Sequence, residues 1–308
     1  MMNRKGMFFI ILAVVLISFF LLSFTFFSVV KDRSAIQKRV ETLNNFVFAV
    51  EEDIERRLFI SGYRIIFLFE KRIIEEGSEI DDVQTRFEEL FYNGTLYGTS
   101  YPNITTGVTF FDIEDRLESD AGKIGANLSF FNPIVSITQD DPWHVKISLT
   151  VDFVVEDLSD LVRWNKTLVS EAFVPIEGFG DPMYSLNTNS KVFANITQTP
   201  YTDFVDGNDV SDLKSHLLGS YYIDSAGAPS FLNRLEGVFT PDVNGIESLV
   251  NLDELAVQGV SIFQKSVVDY IYFSTANLCS STVSPTGMPS WFRLDKAHET
   301  LYEVTTSC

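Results

Sequence analysis

The chain has 308 residues, 45% of them hydrophobic, and a net charge of −19 at neutral pH. Such acidity argues against a protein that binds nucleic acid or lies on an anionic membrane, since both surfaces repel negative charge. The charge is unevenly distributed: residues 1–76 hold eleven Lys or Arg and nine Asp or Glu, whereas residues 77–308 hold twelve and thirty-three. The acidic part is long enough to bury a hydrophobic core of its own.

An apolar run without charged residues, residues 7–30, follows a short basic head. A helix of these 24 residues would be about 36 Å long, enough to cross a hydrocarbon core of about 30 Å. Arg4 and Lys5 favour a cytoplasmic N-terminus, although further basic residues follow the run and weaken this signal. We therefore expect a single-pass cell-membrane protein with its N-terminus in the cytoplasm and residues 31–308 outside the cell.

Two further features agree with an extracellular location. The two cysteines, Cys279 and Cys308, lie near the C-terminus, where a disulfide would hold the end of the chain in place, with free thiols as the alternative. Asn-x-Ser/Thr sequons for N-glycosylation all follow the membrane run, and they occur at Asn93, Asn103, Asn127, Asn165 and Asn195. We expect this part of the chain to be a glycoprotein.

The junction between the basic head and the apolar run carries a family resemblance. Residues 4–6, Arg-Lys-Gly, directly precede the run, and this arrangement resembles the class III signal of type IV pilins and archaeal pilin-like proteins. The resemblance covers mainly residues 1–60, and it implies cleavage between Gly6 and Met7 with retention of the apolar helix. Ile11 stands where bacterial major pilins usually carry Glu, although many minor and archaeal pilin-like proteins lack that Glu. An uncleaved signal anchor is the alternative, because the run is too long for an ordinary signal peptide.

The membrane helix is predicted to continue as an amphipathic stalk. No proline occurs in residues 1–101, and Glu75-Glu76-Gly77 is a plausible helix end, while Gly62 is predicted to mark a bend. The resemblance implies that residues 7–54 contact other pilin-like subunits, but a helix packed on its own domain or a short coiled coil remains open. Apolar residues form one stripe at spacings of four and three: Ile36, Val40, Leu43, Val47, Val50 and Ile54.

Three strands are predicted after the stalk, the second of which alternates apolar and polar residues. They cover Leu128–Thr138, His144–Val155 and Leu161–Ala172, and the first two flank a loop of turn-forming residues, Gln139–Trp143. The predicted fold class is α+β, with one long N-terminal helix, transmembrane and then amphipathic, packed on an antiparallel β-rich extracellular head. The predicted domains are a basic head with its transmembrane helix, a helical stalk, a β-rich head and a less regular acidic lobe, at residues 1–30, 31–76, 77–175 and 176–308.

The acidic lobe contains a short predicted helix, Ser211–Leu218, ended by Gly219. Before it lies a cluster of oxygen ligands that suits calcium, although its register is not that of an EF-hand and a polar turn capping the helix is the alternative. The candidate ligands are Asp206, Asn208, Asp209 and Asp212. Residues 242–247 are interpreted as a turn into a helix that contains Glu247.

The C-terminal segment, residues 289–302, places Asp295, His298 and Glu299 at helical spacing. Either a binding patch or a small amphipathic helix that docks through its aromatic and leucine side chains fits this spacing. Surface aromatics elsewhere, such as Trp164, would suit contact with glycans or proteins.

No catalytic or cofactor-binding motif is present: the sequence lacks a Gly-x-Ser-x-Gly elbow, a His-Glu-x-x-His motif, a P-loop and a dinucleotide fingerprint. We therefore expect no catalytic residues and no bound cofactor other than the candidate calcium ion. The predicted function is a structural or adhesive subunit of a pilin-like surface filament. The alternatives are a monomeric anchored ectodomain, acting as an adhesin, envelope component or receptor accessory, and an anchored hydrolase.

Overall fold

The computed structural model describes residues 4–275 and 282–304, and its fold is α+β with antiparallel sheets, as predicted. A three-stranded sheet has the order β3-β4-β5, and three two-stranded sheets pair β1 with β2, β6 with β7 and β8 with β9. In chain order the elements are α1 (Arg4–Glu76), α2 (Val83–Asn93), β1 (Thr95–Leu96), β2 (Thr99–Ser100), α3 (Pro102–Thr105), α4 (Phe110–Lys123), β3 (Ala126–Asp141), β4 (His144–Asp157), β5 (Arg163–Pro175), α5 (Pro182–Thr188), α6 (Ser211–Leu218), β6 (Tyr222–Asp224), α7 (Phe231–Leu235), β7 (Ile246–Ser248), α8 (Leu252–Val257), α9 (Asp269–Phe273), β8 (Thr282–Val283) and β9 (Leu294–Asp295).

The chain divides into two compact units, each assembled from separate segments. The first unit takes its residues from 1–53, 114–132 and 151–168, and the second takes them from 54–113, 133–150 and 169–308. These units do not coincide with the predicted boundaries at 76 and 175. The reason is that α1, α4 and the three long strands each contribute residues to both units.

Helix α1 is a single helix of 73 residues, as the absence of proline predicts. It ends where expected: Gly77 follows with φ 66°, a left-handed conformation that glycine adopts without a steric penalty, and its N–H donates to Ile73 O at 2.9 Å. The helix is not interrupted at Gly62, so the bend predicted there does not break it.

Gly62 instead permits a close approach inside the second unit. A Cβ atom at this position would lie 1.8 Å from Cδ1 of Ile147 on β4 and 3.1 Å from Cγ2 of Val174 on β5. Both of those side chains are fully buried, so an added Cβ would force the Ile147 side chain to shift within the packed core. The glycine is therefore required by packing between the helix and the sheet.

We expect Gly62→Ala to lower the free energy of unfolding by about 1 kcal/mol. Overpacking a buried contact costs about 1–3 kcal/mol, and the better helix propensity of alanine returns at most about 1 kcal/mol. Denaturant unfolding of the full-length protein measures the change. The matched control is Gly122→Ala in α4, where no atom lies within 4 Å of the added Cβ, so this variant should be neutral or more stable. Equal shifts in both variants would contradict the packing role.

The three predicted strands are confirmed as β3, β4 and β5, each slightly longer or shifted by a few residues. Along β4 buried and half-buried residues alternate, as the alternating sequence indicates. In the second unit this strand buries Val145, Ile147 and Leu149. The connection between β3 and β4 is only Pro142-Trp143, shorter than the predicted loop, because the polar residues before Pro142 still pair within the sheet.

The predicted β-rich head is wrong for its first half, which is helical. Helix α2 begins after Asp82, whose carboxylate accepts a hydrogen bond from Thr85 N–H at 2.9 Å, and ends at Gly94 with φ 67°. It buries an apolar face that includes Phe87 and Phe91. Apart from the two-residue strands β1 and β2, the strands occupy only the second half, residues 126–175.

Residues 176–304 form short elements, in agreement with the predicted irregular lobe. Helix α6 has the predicted bounds and is followed by Gly219. One hydrophobic cluster joins segments that are distant in sequence, and its buried members are Phe204, Leu213, Leu217, Ile223, Leu249, Val267, Val268, Ile271, Phe292, Leu294, Tyr302 and Val304.

Two helices predicted in this region are wrong. Ile246–Ser248 is strand β7, in which Glu247 pairs with Ile223 of β6. The C-terminal segment contains strand β9, in which Leu294 pairs with Val283, followed by turns. Apolar side chains that suggested the face of an amphipathic helix are instead drawn into the cluster as an extended segment, so tertiary packing overrides the helical spacing.

Candidate functional site

The first part of α1 exposes a continuous apolar surface. Residues 8–27 have a mean hydropathy of 2.8, and none of this stretch is buried within the chain. Phe19 and Phe20 are 74% and 77% exposed. Exposed apolar surface is unfavourable in water by about 25 cal/mol per Å², so this segment requires an apolar environment. It is long and apolar enough to serve as a membrane anchor or as a signal sequence.

The predicted amphipathic stripe is largely used inside the chain. In the first unit Leu43, Val47 and Val50 are buried, whereas Ile36 is 41% exposed. This burial favours a helix packed on its own domain over a coiled coil, because the stripe is already covered. Phe48, outside the stripe, is 58% exposed. Within residues 8–54 the exposed apolar surface of α1 therefore includes the first part of the helix, Ile36 and Phe48.

Arg39 marks the point at which the first unit fixes the helix. Its guanidinium forms an ion pair with Asp157 and donates to the carbonyl oxygens of Ile124 and Gly125, both at 2.6 Å. Further along α1, Glu51 forms an ion pair with Lys166 on β5 at 2.5 Å. Because the Arg39 fork satisfies two backbone carbonyls and a buried carboxylate at once, it sets the position of the helix within this unit.

The predicted processing point, between Gly6 and Met7, lies in the first turn of α1, directly before the exposed apolar stretch. Cleavage there remains a prediction. Both cysteines of the predicted disulfide, Cys279 and Cys308, lie outside the described residues.

All five predicted glycosylation sites are accessible. They occupy different elements of both units, and each asparagine is exposed: Asn93, Asn103, Asn127, Asn165 and Asn195. An attached glycan would therefore displace no packed side chain at any of them. Glycosylation itself remains a prediction.

The candidate calcium ligands form a tight turn. Asp206 and Asp209 exchange backbone hydrogen bonds of 3.0 and 2.9 Å, and the Asp209 carboxylate accepts the N–H of Ser211 at the start of α6. Asn208 lies within the same turn, and Asp212 lies in the first turn of the helix. Within residues 4–275 and 282–304, no three His, Cys, Asp or Glu side chains are grouped to hold a metal ion. The geometry is that of a polar turn before the helix: the N-cap residue is Val210, which makes no side-chain capping hydrogen bond, and Asp209 instead accepts the first N–H of α6.

A buried ionic cluster that the sequence did not predict lies in the second unit around Arg234 of α7. The guanidinium bonds to Asp181 at 2.5 Å and to Asp269 at 2.9 Å, and all three side chains are fully buried. Tyr222 donates to Asp181 at 2.8 Å, and the Ser248 N–H and hydroxyl donate to Asp269 at 3.0 and 2.9 Å. Burial raises the pKa of Asp269 to about 6, although the Arg234 charge acts in the opposite direction. We call these residues the Arg234 cluster.

Beside it in the same unit lies a second buried group centred on His298. Its Nδ1 lies 2.8 Å from Asp295 Oδ1, and its Nε2 lies 3.4 Å from the fully buried Glu247 carboxylate and 3.0 Å from the Tyr270 hydroxyl. Burial alone lowers the pKa of this imidazole, but the two carboxylates outweigh burial and raise it from 6.5 to about 10. Asp295 and His298 lie close together because they are only three residues apart in the sequence. Glu247 and Tyr270 come from other segments of the chain.

Both buried groups are closed off from solvent: Arg234, Asp181 and Asp269 are fully buried, and His298 and Asp295 are only 7% and 5% exposed. Their ion pairs hold segments of the chain together. The Glu247 carboxylate accepts no hydrogen bond from the described residues, and its positive neighbour is His298 Nε2 at 3.4 Å. The other buried histidine, His216, has its Nδ1 3.0 Å from Thr199 Oγ1, and burial lowers its pKa to about 4.

Comparisons with protein-family models, with curated proteins and with solved structures returned no match. Among the features described, the exposed apolar part of α1 is the one that requires a partner outside the chain.

Proposed function

We propose that the protein is membrane-anchored and extracellular, and that it is a pilin-like subunit or minor component of a cell-surface filament with a structural or adhesive role. The observation that carries this proposal is α1: one unbroken helix whose first part is apolar and exposed, and whose later part is fixed in the first unit. Such a helix suits two environments in succession, the lipid bilayer before assembly and the helices of other subunits after it.

The orientation follows from charge. Arg4 and Lys5 before the apolar run favour a cytoplasmic N-terminus, which directs the acidic remainder of the chain to the outside. The exposure of all five sequons agrees with this topology. Other subunits would contact the exposed apolar part of α1, and Phe48 extends that surface beyond the membrane segment.

A monomeric signal-anchored ectodomain is the second candidate, and the burial of the stripe favours it. Because Leu43, Val47 and Val50 are covered by the chain itself, less helix is available for contact between subunits than the sequence suggested. In this alternative α1 acts only as a tether. The two candidates differ in whether the N-terminus is cleaved.

The N-terminal residue of the mature protein distinguishes the two candidates. Intact-mass spectrometry of protein extracted from its native membrane should show a chain that begins at Met7. A Gly6→Ala variant should be processed in the same way, whereas Gly6→Leu should keep the basic head, because the family's peptidase cuts after Gly or Ala.

A wild-type chain that still begins at Met1 or Met2 would favour the tethered ectodomain. Cleaved protein that is recovered in filaments sheared from the cell surface, and lost from that fraction in Gly6→Leu, would establish assembly. Cleaved protein that stays monomeric in the membrane would contradict the filament role while leaving the family resemblance intact.

A further inference from the structure

A cavity of about 420 Å³ lies in the second unit, and none of its lining residues belongs to the Arg234 cluster or to the group around His298. One wall is the end of α5 with the residues after it, and the other is the loop before α9 together with two aromatic residues of that helix. The residues that matter here are Asn189, Lys191, Ser261, Phe263, Lys265 and Tyr272.

The charge of this cavity is opposite to that of the surrounding chain. Residues 169–308 contain six Lys or Arg against seventeen Asp or Glu. Two of those six cations, Lys191 and Lys265, line the cavity, and none of its lining residues is acidic. A local cationic site in an acidic protein attracts an anion only at short range, because charges further than about 8–10 Å away are screened by physiological salt.

Both lysines retain capacity to bind a ligand. Lys265 Nζ donates to Ser274 O at 2.8 Å and to Tyr272 O at 3.4 Å, which fixes the ammonium and leaves one of its three protons for another acceptor. Lys191 is exposed, and its Nζ lies 3.5 Å from Gly259 O, at the limit of a hydrogen bond. The two ammonium groups therefore suit a carboxylate, with one fixed donor and one adaptable donor.

An aromatic surface completes the cavity. The ring of Phe263 is 56% exposed, lies 6.5 Å from the ring of Tyr272 and has the Lys265 ammonium 5.9 Å from its centre. An exposed aromatic ring suits the apolar face of a sugar. Asn189 and Ser261 add amide and hydroxyl groups that can bond to sugar hydroxyls.

We propose that this cavity binds an acidic glycan, with a sugar carboxylate held by Lys191 and Lys265 and a sugar ring placed on Phe263. The cavity contains no arginine and so lacks the fork that favours phosphate. The carboxylates of an acidic peptide would pair with the two lysines but would leave the exposed ring of Phe263 and the polar groups of Asn189 and Ser261 without a matching partner. Glycan binding does not depend on filament assembly, so it holds for a filament subunit and for a monomeric ectodomain alike.

Titration of the full-length protein in detergent micelles, by calorimetry, tests the proposal. The probes are uronic-acid and sialic-acid oligosaccharides, each compared with a neutral oligosaccharide of equal length. We expect an acidic oligosaccharide to bind, its affinity to fall with added salt, and the neutral ones to bind at least about tenfold more weakly.

Variants locate the binding. Lys191→Ala and Phe263→Ala should each weaken binding by about threefold or more. Both side chains are exposed, so neither variant should change the melting temperature, and this is checked in parallel. Lys214→Ala, which removes an exposed lysine elsewhere in the second unit, is the matched control and should leave affinity unchanged.

The proposal is overturned if none of the acidic oligosaccharides binds at millimolar concentration, or if neutral and acidic oligosaccharides bind equally. It is also overturned if Lys214→Ala has the same effect as Lys191→Ala. If an oligoglutamate peptide or inorganic phosphate displaces the oligosaccharide at equal concentration, the cavity binds anions in general and the glycan proposal is wrong.

Discussion

Replacing Arg234 with Met is expected to lower the free energy of unfolding by about 3–5 kcal/mol, the largest effect of any single substitution considered for this protein. The reason is that two buried carboxylates would lose their positively charged partner. Asp181 and Asp269 are fully buried, and without the guanidinium between them each would be an uncompensated charge away from water. Because natural domains are stable by only about 5–15 kcal/mol, this change is close to the limit of folding.

Denaturant unfolding of the full-length protein, followed by tryptophan fluorescence, measures the loss. The control is Arg116→Met, an exposed arginine on α4, which should change stability by less than about 0.5 kcal/mol. If Arg234→Met does not fold, the triple variant that also carries Asp181→Asn and Asp269→Asn should recover part of the stability, since no charge is then left buried alone. A loss below about 1 kcal/mol in Arg234→Met would refute this account of the cluster.

The second large effect concerns alkaline pH and His298. Its pKa is raised from 6.5 in the unfolded chain to about 10 in the folded protein, so the folded protein binds one more proton between these values. The stabilisation is fully present below about pH 6.5 and is lost as the pH rises toward 10, by about 1.4 kcal/mol per pH unit. Over the full range the loss is on the order of 4 kcal/mol.

The effect of this group is best separated between about pH 8 and 9, because buried tyrosines such as Tyr184 and Tyr302, whose pKa values burial raises above 10, add to the loss closer to pH 10. Burial raises the pKa of Glu70 to about 7, which also makes the protein less stable as the pH rises, but that titration is complete by about pH 8. Within the window the free energy of unfolding should fall by about 1.3 kcal/mol in the wild type. The same curve should be nearly flat for His298→Gln.

The control for this experiment is His144→Gln, which replaces a histidine that is half exposed. That variant should keep the wild-type slope. His298→Gln also leaves Asp295 and Glu247 without their partner, so its absolute stability will be lower, and the slope is the diagnostic quantity. A His298→Gln slope equal to that of the wild type would show that other groups govern the alkaline transition.

Elements with strong local patterns were predictable from the sequence. Helix α1 follows from an apolar run joined to a stripe with helical spacing and uninterrupted by proline, and its end follows from Gly77. Strand β4 follows from strict alternation, and α6 follows from its polar start and from Gly219. In each case the signal is contained within one element, so no knowledge of distant residues is needed.

Predictions failed where distant segments decided the conformation. The segments that contain Glu247 and Leu294 were interpreted as helical, yet both form strands, because pairing with β6 and β8 and burial in the core outweigh a weak local preference. Helix α2 was missed although local signals were present: Asp82 and Gly94 mark its ends, and its buried residues Val83, Phe87, Leu90 and Phe91 have helical spacing. Residues 176–304 form short elements, as expected, but the sequence did not indicate which of their residues would be in contact.

The sequence alone determined the apolar helix, its length, the basic residues before it and the resemblance around Gly6, because hydropathy and charge are properties of contiguous residues. Only the tertiary structure determined that the stripe after Ile36 is covered by the chain, that Arg234 joins two distant aspartates, and that two lysines share a cavity without acidic neighbours. Those features depend on residues that are far apart in the sequence and are brought together when apolar surface is buried. Whether a buried charge stabilises or destabilises the fold depends on its partner, which only the tertiary structure shows.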